Sequence, residues 1–456
     1  MTVTTGPTIA PSLWRGPLGA VTVGLFSLAF MVAFEALAVV TVMPLVVDEL
    51  SGLSLYAVAF GAPVAVSIYS RSAAVPWVER AGPGPALRAG VLAFVAGLVA
   101  CALATSMPVF LAGRAVQGLG MGAIGVTIYV VVAQAYPESL RPRAMTVLTS
   151  AWMLPAVIGP GIAGWLAHLV GWRAVFWVAP VLAVVSLTLT WRVVARLTGD
   201  GTAVRSGRRD ALAGVVAAAV LLLAVAGQRD LQAWPVLLVL AVLAVVALAP
   251  HLVVPGTWTA RRGLPALMAS RTLLAAAYFG AESYVPLGLV EVRGLSVGTA
   301  GLVLTAAAFA WFGGSWAVAH PERLGPVLAT PGRRTGLGAA AVVLGLLAGL
   351  LVLVPWVPTA VVALVWGVGG LGMGAAMSAT TVQMLDRSGP GEEAGNSAAM
   401  QTNDAVGESA WIALGSVLFA AVLREGVEPA LVSVVGASVL VGLLGLLLLR
   451  RADLGQ

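Results

Sequence analysis

The chain has 456 residues, 60% of them hydrophobic and only 10% charged, where an ordinary soluble domain carries about 25% charged residues. With a mean hydropathy of +0.99, that balance excludes a water-soluble domain and makes lipid the solvent of most of the chain. The formal charge of +6 is carried by arginines dispersed through short segments, not by a basic run, so nucleic acid is not an expected partner.

The stretch from Met1 to Arg15 is polar and lacks the short apolar core and cleavage site of a signal peptide, so the first hydrophobic run is expected to remain in the mature protein. A bilayer crossing takes roughly 20 mostly apolar residues, and turn and charge clusters divide the chain into fourteen such runs. The first six lie at about 17–45, 54–79, 85–105, 107–135, 142–168 and 173–196. A polar loop, Thr198 to Asp210, follows with Arg205, Arg208 and Arg209. Two nearly featureless runs come next, at about 211–227 and 234–254, separated by Gln228-Arg229-Asp230. The last six lie at about 266–290, 297–319, 335–354, 358–381, 397–423 and 430–449.

An even number of crossings puts both termini on one side. With that side cytoplasmic, twenty arginines, Arg71 and Arg271 among them, fall in inner loops or at inner helix ends, and only Arg173, Arg229, Arg293 and Arg424 fall outside. Cytoplasmic loops hold the excess of positive charge, so the expectation is a multi-pass protein of the cell inner (cytoplasmic) membrane with both termini inside. The charge distribution is the same if the two central runs form one re-entrant hairpin.

Glu79-Arg80-Ala81-Gly82 follows the second run, and Glu322-Arg323-Leu324-Gly325 follows the second run of the later six. A matched position in both halves points to duplication. The expected organisation is an amino-terminal six-helix bundle over 1–196, a loop and two additional helices over 197–262, and a carboxy-terminal six-helix bundle over 263–456.

Five ionisable residues, Glu35, Arg114, Glu282, Asp404 and Glu408, sit well inside the apolar runs. A charge at mid-membrane costs about 2.5–3.5 kcal/mol on insertion scales, so such residues face a polar cavity or one another. Asp404 and Glu408 are four apart and share a helix face, where two carboxylates repel unless one is protonated or a cation lies between them. Glu282 is placed to meet Arg114 or to gate the outer mouth, and Arg71 either to pair with a cavity carboxylate or to snorkel to the inner surface. Cys101 is the only cysteine, and His168, His251 and His320 lack metal-ligand spacing, so neither a disulfide nor a metal site is expected. No nucleophile and base set or phosphate loop suggests an enzyme.

Four motifs carry a family resemblance. Leu111-Ala112-Gly113-Arg114-Ala115-Val116-Gln117-Gly118-Leu119-Gly120-Met121-Gly122 resembles the fourth-helix signature of the major facilitator superfamily. Phe34-Glu35-Ala36-Leu37-Ala38-Val39-Val40-Thr41-Val42-Met43-Pro44 resembles the first helix of its fourteen-helix drug:proton antiporter family, with Glu35 where aspartate is usual and Ala38 in place of threonine. Pro155-Ala156-Val157-Ile158-Gly159-Pro160-Gly161-Ile162-Ala163-Gly164 is similar to the antiporter Gly-Pro-x-x-Gly-Gly motif, with Pro155 and Ala163 replacing glycines. The loop after the second run departs most: of Gly-x-Leu-Ala-Asp-Arg-x-Gly-Arg-Arg it keeps only Glu79, Arg80 and Gly82, and Val75 replaces a glycine.

The resemblance implies an all-α integral membrane protein with the major facilitator fold, two six-helix bundles plus two additional central helices, fourteen transmembrane helices in all. It also implies a monomer with no cofactor beyond a proton gradient, exporting lipophilic or amphipathic compounds by alternating access. Glu35, Arg114, Glu282, Asp404 and Glu408 are the expected proton-coupling residues. Gln117, Tyr129, Trp152, Tyr284, Trp311 and Gln401 are the expected substrate-cavity walls. Glu79, Arg80, Gly82, Gly159, Pro160 and Gly164 are the expected conformational motifs. A lipid or glycolipid transporter, with the two additional helices forming a lateral opening, and a non-transporting receptor or scaffold are the alternatives.

Overall fold

The computed structural model describes residues 13–137, 140–199, 201, 207–226, 234–320, 330–388 and 393–452. The second repeat motif at 322–325, Arg205 and the separator at 228–230 lie outside the described residues. Everything long is helical, as lipid demands of a chain that must satisfy its own backbone polar groups. The helices of the first half are α1 (Gly16–Glu49), α2 (Val58–Ala81), α3 (Pro83–Ala102), α4 (Met107–Ala135), α5 (Arg141–Val170) and α6 (Arg173–Val194). Next come α7 (Gly207–Ala226) and α8 (Trp234–Leu248). The second half holds α9 (Leu264–Glu282), α10 (Val285–Glu291), α11 (Val297–Ala319), α12 (Pro331–Leu351), α13 (Thr359–Asp386), α14 (Glu393–Val422) and α15 (Val427–Leu448).

Helices α9 and α10 are two pieces of one span, interrupted at Ser283 and Tyr284, with Pro286 in the first turn of α10 supplying no amide to continue the ladder. Counted so, the described residues hold fourteen long helices, as the hydrophobic runs indicate. Among the described residues, 11 spans are long and apolar enough to cross a membrane, and shorter apolar stretches at Ile158–Val170 and Pro235–His251 belong to α5 and α8. Prolines open seven of the described helices, α1, α3, α4, α5, α9, α10 and α12, at positions where the amide has no intrahelical acceptor. Ser296 caps α11 by accepting from the amide of Thr299, and Thr330 adds a cap to proline-opened α12 by accepting from that of Arg333.

The duplication is visible in the packing. In the first half α1 packs on α5 and α6, α3 on α4 and α6, and α2 on α4; in the second α9 packs on α14 and α15, α12 on α13 and α15, and α11 on α13. A sequence repeat underlies it, since Gly-Leu-Gly-Met-Gly-Ala occurs at 118–123 in α4 and again at 370–375 in α13. Its third glycine allows the closest approach in both halves: a Cβ would stand 1.9 Å from Ser70 Oγ at Gly122 and 1.9 Å from the Trp311 carbonyl oxygen at Gly374. Four residues before the repeat stands Arg114 in one half and Trp366 in the other. Buried Trp366 stacks on Tyr278 of α9 with centroids 4.9 Å apart, so an aromatic pair occupies the place where the first half has its buried charges.

The halves meet along α2 with α14 and α5 with α11. Gly164 abuts Gly298, where an added Cβ would come within 2.8 Å of the partner Cα. Gly301 likewise meets the Pro160 carbonyl. These contacts, with α1 against α10 and α11, lie toward the face remote from the chain termini. That face is sealed by Tyr56, Phe60, Tyr284 and Phe419, with Tyr56 on Tyr284 at 5.4 Å and Tyr284 on Phe419 at 5.0 Å between centroids. Helix α7 packs on both α2 and α14, so it covers one flank of the seam between halves, and α8 lies outside it. Buried Asp210 of α7 accepts from Ser72 Oγ of α2 at 2.9 Å.

Two arginines of the remote face are structural staples. Arg173 donates to Glu49 at 2.5 Å and to the Ala104 carbonyl at 3.0 Å while lying over the Trp172 ring. Arg293 donates to the carbonyls of Leu351, Val352, Val354 and Val357, closing the end of α12.

Candidate functional site

Within the first half, the cost of burying charge is met by a compact cluster. Glu35 of α1 and Arg114 of α4 are 5% and 3% exposed. Arg114 Nη1 donates to Glu35 Oε1 and, at 2.6 Å, to Gln117 Oε1 one turn along the same helix. Its Nε donates to the Ala59 carbonyl of α2 at 2.8 Å. The guanidinium thus joins α1, α2 and α4, and Glu35 pairs with Arg114, leaving Glu282 to other company. Gln117 is 1% exposed and its amide nitrogen has no partner. It orients Arg114 from within the packed interior.

The second half carries its own network, centred on a residue counted from the sequence as a cytoplasmic helix end. Arg271 lies in the second turn of α9, with a side chain 13% exposed. Its Nε donates to Asp404 at 2.8 Å, and its Nη1 donates to the Met377 carbonyl at 2.6 Å and to Thr380 and Thr381 at 2.9 Å. Thr272 Oγ1 donates to the other Asp404 oxygen at 2.8 Å, and Asn403 donates to Thr272 at 2.5 Å. Asp404 is therefore neutralised by a cation from a neighbouring helix, the arrangement that two carboxylates on one face require.

Glu408, one turn further along α14, and Glu282 at the end of α9 have no hydrogen-bond partner among the described residues; each lies close enough to feel the other's charge, and Glu408 also that of Asp404 and Arg71. Arg71 of α2 is half-buried, its Nε is orphaned, and its nearest charged or phenolic neighbours are Glu408 and Tyr129. A guanidinium from one half and the Glu408 carboxylate from the other thus face each other across the seam of α2 and α14 without a bond to fix them, with Glu282 of α9 within reach of Glu408.

The aromatic and amide residues sort by exposure. Tyr129 and Trp152 are 48% and 51% exposed, and Gln401 is exposed on α14. Trp311 is half-buried against Tyr278 and Phe279, and Tyr284 is buried in the aromatic seal. Of the conformational motifs, Pro160 and Gly164 lie along the seam of α5 and α11, while Gly159 faces Phe34 and Leu37 of α1. Gly82 turns the chain between α2 and α3 with φ +78° and has no room for a Cβ, which would stand 2.4 Å from the Leu197 carbonyl oxygen. Glu79 and Arg80 are exposed beside it, and Arg80 Nε bonds the Pro76 carbonyl at 3.0 Å. Among the described residues no group of His, Cys, Asp and Glu side chains is placed to hold a metal.

Two pseudo-symmetric six-span sets with charged groups along their seam define a secondary transporter class. The sequence model of the Major Facilitator Superfamily matches residues 25–412, and the chain belongs to that superfamily of transporters. Over shorter stretches it is similar to the multidrug resistance protein MdtM of Salmonella typhimurium, 34% identical over 132 residues, 28% of this chain and 32% of the relative. It is also similar to the multidrug resistance protein Stp of Mycobacterium tuberculosis, 36% identical over 102 residues, 22% of this chain and 19% of the relative. The matched stretches span between 17% and 32% of the length of such curated relatives. A POT family transporter in complex with 5-aminolevulinic acid shares the fold at TM-score 0.69 and 13% identity, covering 96% of both chains. A bacterial homolog of the human lysosomal transporter Spinster, inward-facing and occupied, does so at 0.67 and 14%, covering 96% of this chain and 97% of the other.

Proposed function

We propose that the chain is a proton-coupled antiporter that exports lipophilic or amphipathic small molecules across the cytoplasmic membrane, with both termini in the cytoplasm. The observation that carries this reading is the buried Glu35–Arg114–Gln117 cluster. An ionisable carboxyl kept in the membrane interior at such cost, hydrogen-bonded by an arginine that also grips a second helix, exchanges a proton only when the surrounding helices move. Protonation of Glu35 releases Arg114, and the released guanidinium loosens α2 through its bond to Ala59. Glu408, unbonded opposite Arg71, and Glu282 within reach of Glu408 receive the charge that moves between halves. The multidrug-resistance relatives support a drug-like substrate, and the exposed faces of Tyr129 and Trp152 offer it stacking surfaces. Helix α7 across the α2 and α14 flank supports loading from the aqueous side instead of through that flank.

The test is transport in proteoliposomes under an imposed pH gradient. The wild type is expected to move a lipophilic dye against its gradient, whereas Glu35→Gln retains dye binding and loses at least about tenfold of the gradient-driven flux, of the size general acid–base groups contribute. Undiminished gradient-driven flux in Glu35→Gln removes this residue from coupling.

A further inference from the structure

We infer that the protein carries a specific site for the headgroup of an anionic phospholipid, at the face of the membrane that bears the chain termini. The site is a depression of about 540 Å³ lined by Thr259, Ala260, Arg261, Arg262, Arg450 and Arg451. Two arginine pairs almost 190 positions apart in sequence are brought together here, and the Gly263 amide donates to the Arg451 carbonyl at 3.0 Å to hold them so. Ala260 adopts the left-handed region at φ +44° and Gly256 lies at φ +89°, so the loop that presents Arg261 and Arg262 is held in a conformation the chain does not adopt freely. Arg387 closes the back of the same corner by donating to the Ala452 carbonyl at 2.6 Å.

Among the described residues no acidic side chain lines the depression, and none of the four guanidiniums has a hydrogen-bond or ion-pair partner. A general preference for positive charge on one face is satisfied by arginines scattered along it, as at Arg192 and Arg196. Four converging on one concavity repel one another, and an anion relieves that repulsion. The position selects the source of the anion. Arg261 and Arg262 immediately precede the span Leu264–Glu291, and Arg450 and Arg451 end the span Val427–Arg451. Their stems therefore lie at the height where lipid phosphates sit, and exposed Trp258 on the same loop is the aromatic residue expected at that interface. Basic pockets between helix ends at such a surface bind phosphate-bearing headgroups. An occupant bridges the start of α9, which carries Arg271, and the end of α15.

The test uses the full-length protein, purified in detergent and titrated with mixed micelles containing a fluorescent phosphatidylglycerol or cardiolipin, against phosphatidylcholine as the zwitterionic comparison. Each arginine near an anionic surface contributes about fivefold in affinity. The pairs Arg261→Gln with Arg262→Gln, and Arg450→Gln with Arg451→Gln, are each expected to weaken anionic lipid binding about 25-fold. Arg192→Gln with Arg196→Gln is expected to change it less than about twofold, because those residues line no depression. The corresponding Arg→Lys pairs keep the charge and are expected to retain most of the binding even where the glutamine pairs fold poorly. Equal affinity of the wild type for anionic and zwitterionic lipid overturns the inference, as do glutamine pairs that bind like the wild type. Displacement of the lipid by millimolar inorganic phosphate or pyrophosphate also overturns it, by assigning the site to a soluble anion.

Discussion

Arg114→Ala is expected to destabilise the purified protein by about 3–5 kcal/mol, the usual cost of leaving one partner of a buried ion pair behind. The substitution strands Glu35, 5% exposed, without its cation. It also frees the Ala59 carbonyl and Gln117 Oε1, which accept from Arg114 and belong to buried residues. Three helices lose their common junction at once. Replacing both charges, as Glu35→Leu with Arg114→Met, removes the stranded charge along with the pair and is expected to recover most of the stability while abolishing coupled transport. Thermal unfolding in detergent reads both. A single variant as stable as the wild type, or a double variant no better than the single, contradicts the account of the cluster as an ion pair held at the expense of stability.

Arg271→Ala is expected to cost about 2–4 kcal/mol, between the small worth of an exposed pair and the larger loss at a fully buried one. Arg271 and Asp404 are 13% and 18% exposed at their side chains, so solvent screens part of the interaction. Beyond the pair, the variant deletes the bonds to Met377, Thr380 and Thr381 that tie α9 to α13, and it leaves Asp404 and Glu408 facing each other on α14 with no cation between them. Arg271→Ala combined with Asp404→Asn is expected to lose less than the two single variants together, with a coupling of about 1–3 kcal/mol, within the range seen for residues in one network. Strict additivity indicates that Arg271 stabilises only through its carbonyl and threonine contacts.

The different fates of these two arginines explain what the sequence made legible. Arg114 was recognisable because it lies near the middle of an apolar run, where an unpaired charge is intolerable, and its partner Glu35 is the carboxylate in the corresponding layer of α1. Arg271 lies two turns inside its helix. A count of arginines by side cannot tell such a residue from one in a loop, and only the neighbouring α13 and α14 reveal that it turns inward. The same limit applies to Gln117 and Tyr284. Helical spacing placed each on a face but not which neighbour covers that face, and both are 1% exposed. Helix number was legible from hydropathy because lipid leaves the backbone few alternatives. The aromatic seal of Tyr56, Phe60, Tyr284 and Phe419 was not, since its members come from three distant helices and carry no local signature. The hexapeptide shared by α4 and α13 was present in the sequence as a firmer mark of duplication than the loop motifs, one copy of which lies outside the described residues.

The exchange of a proton for substrate at Glu35 is tested most directly by proton release from the purified protein in weakly buffered detergent solution on addition of a saturating lipophilic dye. The wild type is expected to release a proton when the dye binds, and Glu35→Gln to bind the dye without releasing one. Release of the same amount from Glu35→Gln contradicts the account and moves coupling to the carboxylates of α9 and α14.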